Sequence, residues 1–418
     1  MTVFHSNSSL QGGAAIAALR IHQSAKLAGL DSKFYHLGHE QIGTDVLPAP
    51  RAGPPTFWIK GITRLRSEIS RARSKPKAEF DFYPLPWPGN SLPRPEGVGG
   101  PDILHFHWMQ GWMTYKEVVP RSGKIVVTLH DMNAFTGGCI YDWGCGRFAQ
   151  GCGQCPQLGQ PGKYDASHLS AERKREFWAG VNVHVVAPSQ WMLEQARRSV
   201  AFQGASSFTH IPYGLDLTTF YPIPKTVARE ALGLGEDKVT ILFGAAGGAS
   251  DPRKGFRLLT EALGRMPDSV PLRLLTFGQS APDASLPRWV ESVHLGQLTA
   301  ERLQALVYSA ADLTVVPSIQ DNSPQVVLES MACGTPVLGT QVGGIPEVIR
   351  HGETGWLASP SAGDMAEVLR MCLDNPAKLH ACGGQSRKYV ESHHSLLAQG
   401  QAYKRLYDQV IGSCVSVA

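Results

Sequence analysis

The chain has 418 residues, enough for two or three domains at about 150 residues each. Hydrophobic residues make up 43% and charged ones 18%, a mixture that builds packed cores and excludes a disordered chain. The 39 Lys and Arg exceed the 35 Asp and Glu by too little for a dedicated nucleic-acid binder, and the 44 Gly and 29 Pro follow no period, which excludes collagen-like and repeat architectures.

No basic segment leads into an apolar run at Met1–Ser6, and nowhere do about 18 apolar residues follow one another. The expectation is a soluble, cytoplasmic protein without a leader, whose eight cysteines stay reduced.

In chain order, residues 2–7 read as a short apolar strand running into Gly12 and Gly13, followed by a helix over about 14–30 with Ile16, Leu19, Ile21 and Leu27 on one pattern. Residues 32–37, 103–107, 125–130 and 183–188 are further apolar runs that end in polar or Gly-rich turns. A polar, Pro-containing stretch covers about 211–228. The pattern then restarts with strands over 239–245, 272–278, 293–295, 313–317 and 337–340. Short apolar strands separated by helices are the pattern of parallel sheets covered on both faces. The predicted fold class is therefore α/β, two Rossmann-like doubly wound domains facing a cleft. The boundaries are 1–212, a linker over 213–228, 229–395, and a last helix over 396–410 within 396–418. In such sheets ligands bind beyond the carboxyl ends of the strands.

Between Lys60 and Glu79 seven basic residues face two acidic ones, and Phe57, Trp58, Ile59, Ile62, Leu65 and Ile69 interleave with them. This segment, 57–77, reads either as an amphipathic contact with an anionic membrane surface or as a solvated helix and loop.

The stretch from Val315 to Pro336 is the most informative. A strand ends near Pro317 and a helix starts after Asn322, with Ser323 at the N-cap, Pro324 at the first helical position, and Gly334 and Pro336 as the stop. The helix start directs N–H groups at the place where a polyol or anion binds. Asp321 precedes the helix and Glu329 lies about a turn and a half inside it.

With seven residues between the two acids, this stretch resembles the Glu-x7-Glu signature of GT-B retaining glycosyltransferases of family 4, Asp321 standing first and Glu329 second. Cys333–Glu347 and His351–Trp356 are similar to the same family's continuation. Gly12-Gly13, Ala187–Ser189, Gly214–Phe220 and Asp251–Gly255 match in order, so the resemblance spans nearly the whole chain, and it implies that the last helix, 396–418, crosses back to the first domain.

The resemblance implies that Glu329 binds the ribose hydroxyls of a nucleotide, where a carboxylate accepts from both hydroxyls of a diol. It implies that Asp321, with the backbone of Asn322, Ser323, Pro324 and Gln325, holds the donor sugar. Asp321 is one methylene shorter than the family's Glu, so donor identity does not transfer. Lys254 matches the cation that neutralises the departing diphosphate. The family's additional Arg is absent from 247–250; either Arg253 replaces it or the amides of Gly247–Ser250 form an anion nest. Gly12 and Gly13 bring backbone close to the phosphates. His130 falls where the family has a histidine near the reaction centre, which makes His130, Lys254 and Asp321 the catalytic candidates. His105 and His107 either line the acceptor side or pack as buried polar residues.

The implied activity is transfer of a hexosyl unit, with retention, from a nucleoside-diphosphate sugar to a glycan or lipid-linked saccharide in exopolysaccharide synthesis. Catalysis needs no metal, because Lys254 and helix dipoles take its place. The rivals are a catalytically silent sugar-nucleotide-binding protein and another GT-B enzyme such as a sucrose-type synthase. Partners are the donor and the acceptor, with peripheral contact at the inner membrane face through 57–77 and no nucleic acid.

A last constellation is Cys139-x5-Cys145-x6-Cys152-x2-Cys155, four of the eight cysteines within a Gly-rich insert over 137–157. Four thiolates suit a closed structural zinc site, and Cys-x2-Cys is the usual half-site. Free thiols and two disulfides are the other readings. A Cys-rich insert is similar to that of a subgroup of these transferases.

Overall fold

The computed structural model describes residues 1–49, 75–77, 80–81, 102–109, 124–268, 271–281 and 286–412. The 57–77 segment therefore lies outside the described residues except for 75–77, as does Cys414.

The chain divides into two compact units, Met1–Pro212 with Gln399–Ala418, and Tyr213–Ala398. The first unit is built on a seven-stranded sheet in the order β3-β2-β1-β4-β5-β6-β7. Its strands are β1 (Thr2–Ser6), β2 (Asp31–His36), β3 (Val46–Pro48), β4 (Ile103–Phe106), β5 (Lys124–Thr128), β6 (Asn182–Ala187) and β7 (Ser207–His210). The second unit holds a six-stranded sheet in the order β10-β9-β8-β11-β12-β13. Those strands are β8 (Val239–Gly244), β9 (Leu272–Phe277), β10 (Val290–His294), β11 (Leu313–Val316), β12 (Val337–Thr340) and β13 (Gly355–Ala358). All pairings within both sheets are parallel.

The first unit's helices are α1 (Gly13–Leu27), α2 (Ala166–Ala179) and α3 (Gln190–Arg198). The second unit has α4 (Lys225–Ala231), α5 (Phe256–Leu263), α6 (Glu301–Ala310), α7 (Gln325–Ala332), α8 (Ile345–Val348), α9 (Ala362–Leu373) and α10 (Pro376–His393). The last helix, α11 (Leu396–Gly412), starts in the second unit and belongs to the first from Gln399 onward. None of the helices in the described residues is long and apolar enough to cross a membrane.

The strands are apolar because helices cover both faces: Ile125, Val127, Val183 and Val185 pack with Phe135, Trp178 and Phe202 in one core. Ile241, Phe243, Leu274 and Val315 pack with Leu259, Trp356 and Leu369 in the other. At about 25 cal/mol per Å² of buried apolar surface, such cores dominate the stability of each unit.

Two sheets of parallel strands with helices on them agree with the sequence reading. Three strands escaped it. β3 is three residues long and ends in Pro48, β7 reads Ser-Phe-Thr-His without an apolar run, and β13 follows a turn after only two residues of apolar signal. One boundary is corrected: α7 starts at Gln325 with Pro324 as its N-cap and no side-chain cap, not with Ser323 at that position. Pro324 takes an extended ψ of 126°, so the helical geometry starts one residue later.

Candidate functional site

Each sheet reverses its strand order once. In the first unit the switch lies between β1 and β4, in the second between β8 and β11. Doubly wound sheets take their ligands at the carboxyl ends of the strands that flank such a switch. Most of the predicted residues fall there: Gly12 follows β1, His107 follows β4, Arg253 and Lys254 follow β8, and Asp321 follows β11, while His130 follows β5, the next strand over.

In the second unit, Lys254 Nζ donates to Asp321 Oδ2 over 2.7 Å, and Arg253 Nη1 reaches the same oxygen at 3.2 Å. Arg253 Nη2 also meets Asp251 Oδ2 at 3.0 Å. Ser318 Oγ and the Asn322 N–H add hydrogen bonds to the Asp321 carboxylate. Burial of Asp321 by itself pushes its carboxyl pKa up, but Lys254 and Arg253 beside it prevail and hold it below the usual carboxylate range. Asp321 is thus an anion whose task is to hold two cations at the sheet's edge.

Glycines make this packing feasible. A Cβ on Gly255 would lie 1.8 Å from the Pro317 carbonyl oxygen, and one on Gly343 would lie 1.7 Å from that of Asp321. Both have left-handed φ, +71° and +55°, so any side chain would also strain the backbone. The Gly344 N–H then donates to the Asp321 carbonyl.

Glu329 is buried within α7, and its Oε2 accepts a 2.8 Å hydrogen bond from the Tyr308 hydroxyl on α6. Asn322 is buried as well, whereas Ser323 and Gln325 are half-buried at the start of α7. Three of the amides weighed for an anion nest are already engaged. Gly248 donates to Ala245, Ala249 to Ser280, and Ser250 to the Ser280 hydroxyl.

In the first unit, Gly12 caps α1 with φ +89°, and a Cβ on Gly12 or Gly13 would meet nothing within 4 Å. Among the described residues, the space beside this helix start is open. Histidines fill the next strands. His5 Nδ1 lies 3.0 Å from His107 Nε2, and His107 Nδ1 lies 3.0 Å from His130 Nε2. His105 has both nitrogens engaged at 2.7 Å, one by the Tyr407 hydroxyl and one by Thr128 Oγ1, which also bonds Tyr403.

Burial keeps all of these rings neutral: it pulls His130 to about 3 and holds His5, His105 and His107 well below the ordinary histidine range. His5, His105 and His107 are the one trio among the described residues whose potential ligand atoms lie within 4.8 Å of one another. Five of their six ring nitrogens already serve the hydrogen bonds above, which argues for a polar network and against a metal centre. His107 and His130 line a small pocket with Asp131, Asn133 and Lys174, while His105 lies fully inside the core.

Sequence reasoning missed Tyr308, His5 and Lys174. A helical tyrosine in an apolar run and a lysine inside Glu-Arg-Lys-Arg-Glu carry no local mark of burial, since charged helical runs ordinarily face water. Yet Lys174 is only 1% exposed, and its ammonium donates to the Asn133 and Thr136 carbonyls.

Comparison with known proteins places these observations. Residues 240–375 match the family model described as "Glycosyl transferases group 1". The D-inositol 3-phosphate glycosyltransferase of Geodermatophilus obscurus is 35% identical over 199 residues, 43% of this chain and 44% of that protein. The protein of the same description from Mycobacterium sp. strain KMS is 28% identical over 290 residues, 65% of this chain and 59% of that one. The chain thus spans less than half the length of the first of these curated relatives.

Among solved structures, sucrose-phosphate synthase from Thermosynechococcus elongatus superimposes with a TM-score of 0.68 at 20% identity, covering 99% of both chains. Anabaena Alr3699/HepE, solved in complex with UDP-glucose, gives 0.62 at 15% identity, covering 98% of this chain and 100% of that one. The fold is GT-B, and the match to the glycosyl transferases group 1 model lies within the second unit.

Proposed function

We propose that the chain is a retaining glycosyltransferase of family-4 type that moves a hexosyl unit from a nucleoside-diphosphate sugar to a glycan or lipid-linked saccharide in polysaccharide synthesis. The observation that carries this reading is the group formed by Lys254, Arg253 and Asp321 at the carboxyl ends of β8 and β11. Breaking the glycosidic bond loads negative charge onto the departing diphosphate. An ammonium and a guanidinium fixed in advance stabilise that charge with little reorganisation.

Asp251 and Asp321 balance the two cations before the diphosphate arrives, so neither cation is buried alone. The two cations supply the neutralisation for which a divalent ion is the alternative. The Tyr308 hydroxyl orients Glu329 as the acceptor for the ribose diol. Asp321 and the backbone of 322–325 take the sugar hydroxyls, and Gly12 and Gly13 leave room for the phosphates. Retention follows from attack on the leaving-group face, with the departing phosphate taking the acceptor's proton. His130, kept neutral by burial, serves as a hydrogen-bond partner near the sugar rather than as a cation.

Uridine diphosphate glucose is the first donor to test, because the Anabaena neighbour was solved with it. The reading includes peripheral attachment at the inner membrane face through 57–77, next to a lipid-linked acceptor. Thermal shifts with UDP, GDP and ADP identify the base, since a ligand selective for the native state raises its stability. Release of nucleoside diphosphate, with the anomeric configuration of the product read by NMR, then tests transfer. Nucleotide affinity without turnover of any donor, even with pooled acceptors, would leave the silent binding protein standing instead.

A further inference from the structure

The proposed function leaves the Cys-rich segment unused. Cys139, Cys145, Cys152 and Cys155 are all free and all line one small cavity, together with Gly137 and Ser167. Backbone amides face the sulfurs. The Gly137 N–H donates to Cys152 Sγ at 3.2 Å, and the Arg147 and Gln157 amides face Cys145 and Cys155, whereas the Leu158 N–H goes to the Cys155 carbonyl. Such donors stabilise a thiolate far more than a neutral thiol, which is a weak acceptor.

The backbone is bent to bring this about. Four consecutive residues, Gly151 to Gln154, have positive φ, including the non-glycine Cys152 at 57° and Gln154 at 48°. Left-handed backbone at such residues persists where the surroundings over-determine it. Asp165 adds an outer brace: Oδ2 accepts from the Cys155 N–H at 2.9 Å while Oδ1 caps the first turn of α2.

The buried cation is Lys174. Its ammonium bonds the Asn133 and Thr136 carbonyls, and the peptide group that gives the Thr136 carbonyl also gives the Gly137 N–H that donates to Cys152 Sγ. Lys174 also lines the pocket of His130 and Asp131.

We propose that Cys139, Cys145, Cys152 and Cys155 hold one zinc ion, that Lys174 offsets part of the charge of the four thiolates, and that through Lys174 the ion anchors segment 131–136 beside His130. Four sulfur ligands close a tetrahedral site and leave no position for substrate, so the ion is structural. The sulfurs are set wider than the 4.8 Å of the histidine trio, so binding draws them inward about the cavity they share. A soft thiolate set selects zinc over magnesium or calcium.

The test does not use turnover, so it stands apart from the transferase reading. The full chain, purified under reducing conditions without added metal or chelator, is analysed for metals by mass spectrometry. The expected result is about one zinc per chain, released in step as a mercurial titrates four thiols. Cys152→Ser with Cys155→Ser loses the zinc. Lys174→Met gives it up to a chelator about tenfold faster, while Arg175→Gln on the exposed side of α2 does not. Removing the ion raises amide hydrogen exchange over 131–136. Zinc below about a tenth of an equivalent, iron in its place, or two disulfides overturns the site. Unchanged exchange over 131–136 overturns the anchoring. If the cysteine variants do not fold, metal content and mercurial release in the unmodified chain decide the matter.

Discussion

Lys254 and Asp321 stand 67 residues apart in the chain and meet at 2.7 Å beyond the ends of two adjacent parallel strands. Their contact turns a helix-start carboxylate and a loop lysine into one unit, with Arg253 as its third member. Removing the ammonium therefore has two effects: it takes a cation from the leaving group and leaves Asp321 with Arg253 alone. Lys254→Ala is expected to lower the rate of nucleoside-diphosphate release by about 10²–10³, the usual loss of one preorganised stabiliser of transition-state charge. A kcat within twofold of the parent would remove the basis for the proposed function.

Tyr308 and Glu329 make a separable prediction, because they concern binding rather than charge development. Glu329→Gln should weaken nucleoside-diphosphate binding by about 1.5–3 kcal/mol, and Tyr308→Phe by about 0.5–1.5 kcal/mol, the values for charged and neutral hydrogen bonds. Calorimetry with a 2′,3′-dideoxy nucleotide is the control. If the loss is equally large there, Glu329 does not read the ribose.

The histidines of the first unit predict acid sensitivity. Burial holds His22 at about 4 and His130 at about 3, below the ordinary 6.5. Below pH 6.5 the unfolded chain takes up protons that the native one refuses, so stability is complete above that pH and falls as pH drops towards 4. At pH 5 the loss is about 2 kcal/mol for each of the two, and His5, His105 and His107 add to it in the same direction. Urea midpoints at pH 7.5 and pH 5 check this, since carboxylates contribute little in that window. Equal midpoints would contradict it.

The line from His5 through His107 to His130 also predicts a tautomer. His5 Nε2 is buried without a partner among the described residues. An unpaired lone pair is tolerated better than an unpaired N–H, so His5 donates from Nδ1 to His107, and His107 from Nδ1 to His130. That leaves the proton of His130 on Nδ1. Nitrogen-15 shifts of the imidazole should report this form, and His107→Phe should mix the tautomers and alter the pH profile of turnover. A His130 protonated on Nε2 in the parent protein would reverse the direction of the line.

Two glycines with similar backbone angles should respond differently to alanine. At Gly352, φ is +79° and a Cβ meets nothing within 4 Å, so Gly352→Ala should cost about 1–2 kcal/mol of backbone strain alone. At Gly343 the clash with the Asp321 carbonyl adds to a similar strain, and the loss should exceed about 4 kcal/mol. Chemical denaturation measures both. Equal losses would mean that the Asp321 loop yields to the added methyl.

The sequence by itself determined the repetitive architecture, because burial of strands on both faces selects the same apolar runs wherever they occur, from Ile125–Val127 to Leu272–Leu275. Resemblance to family motifs in the sequence also marked Lys254, Asp321 and Glu329, each within its own short segment. What tertiary structure decided is which of these groups meet. The Lys254–Asp321 contact, Tyr308 against Glu329, and the His5–His107–His130 line each join residues from different strands or helices, and no local periodicity encodes such pairs. Lys174 is the clearest case. In the sequence it belongs to a charged helix that reads as solvated, yet packing of α2 against the loop before Cys139 buries its ammonium among carbonyls and sulfurs. Local pattern sets which face of an element is apolar, whereas the partner of a buried polar group depends on contacts between segments far apart in the chain.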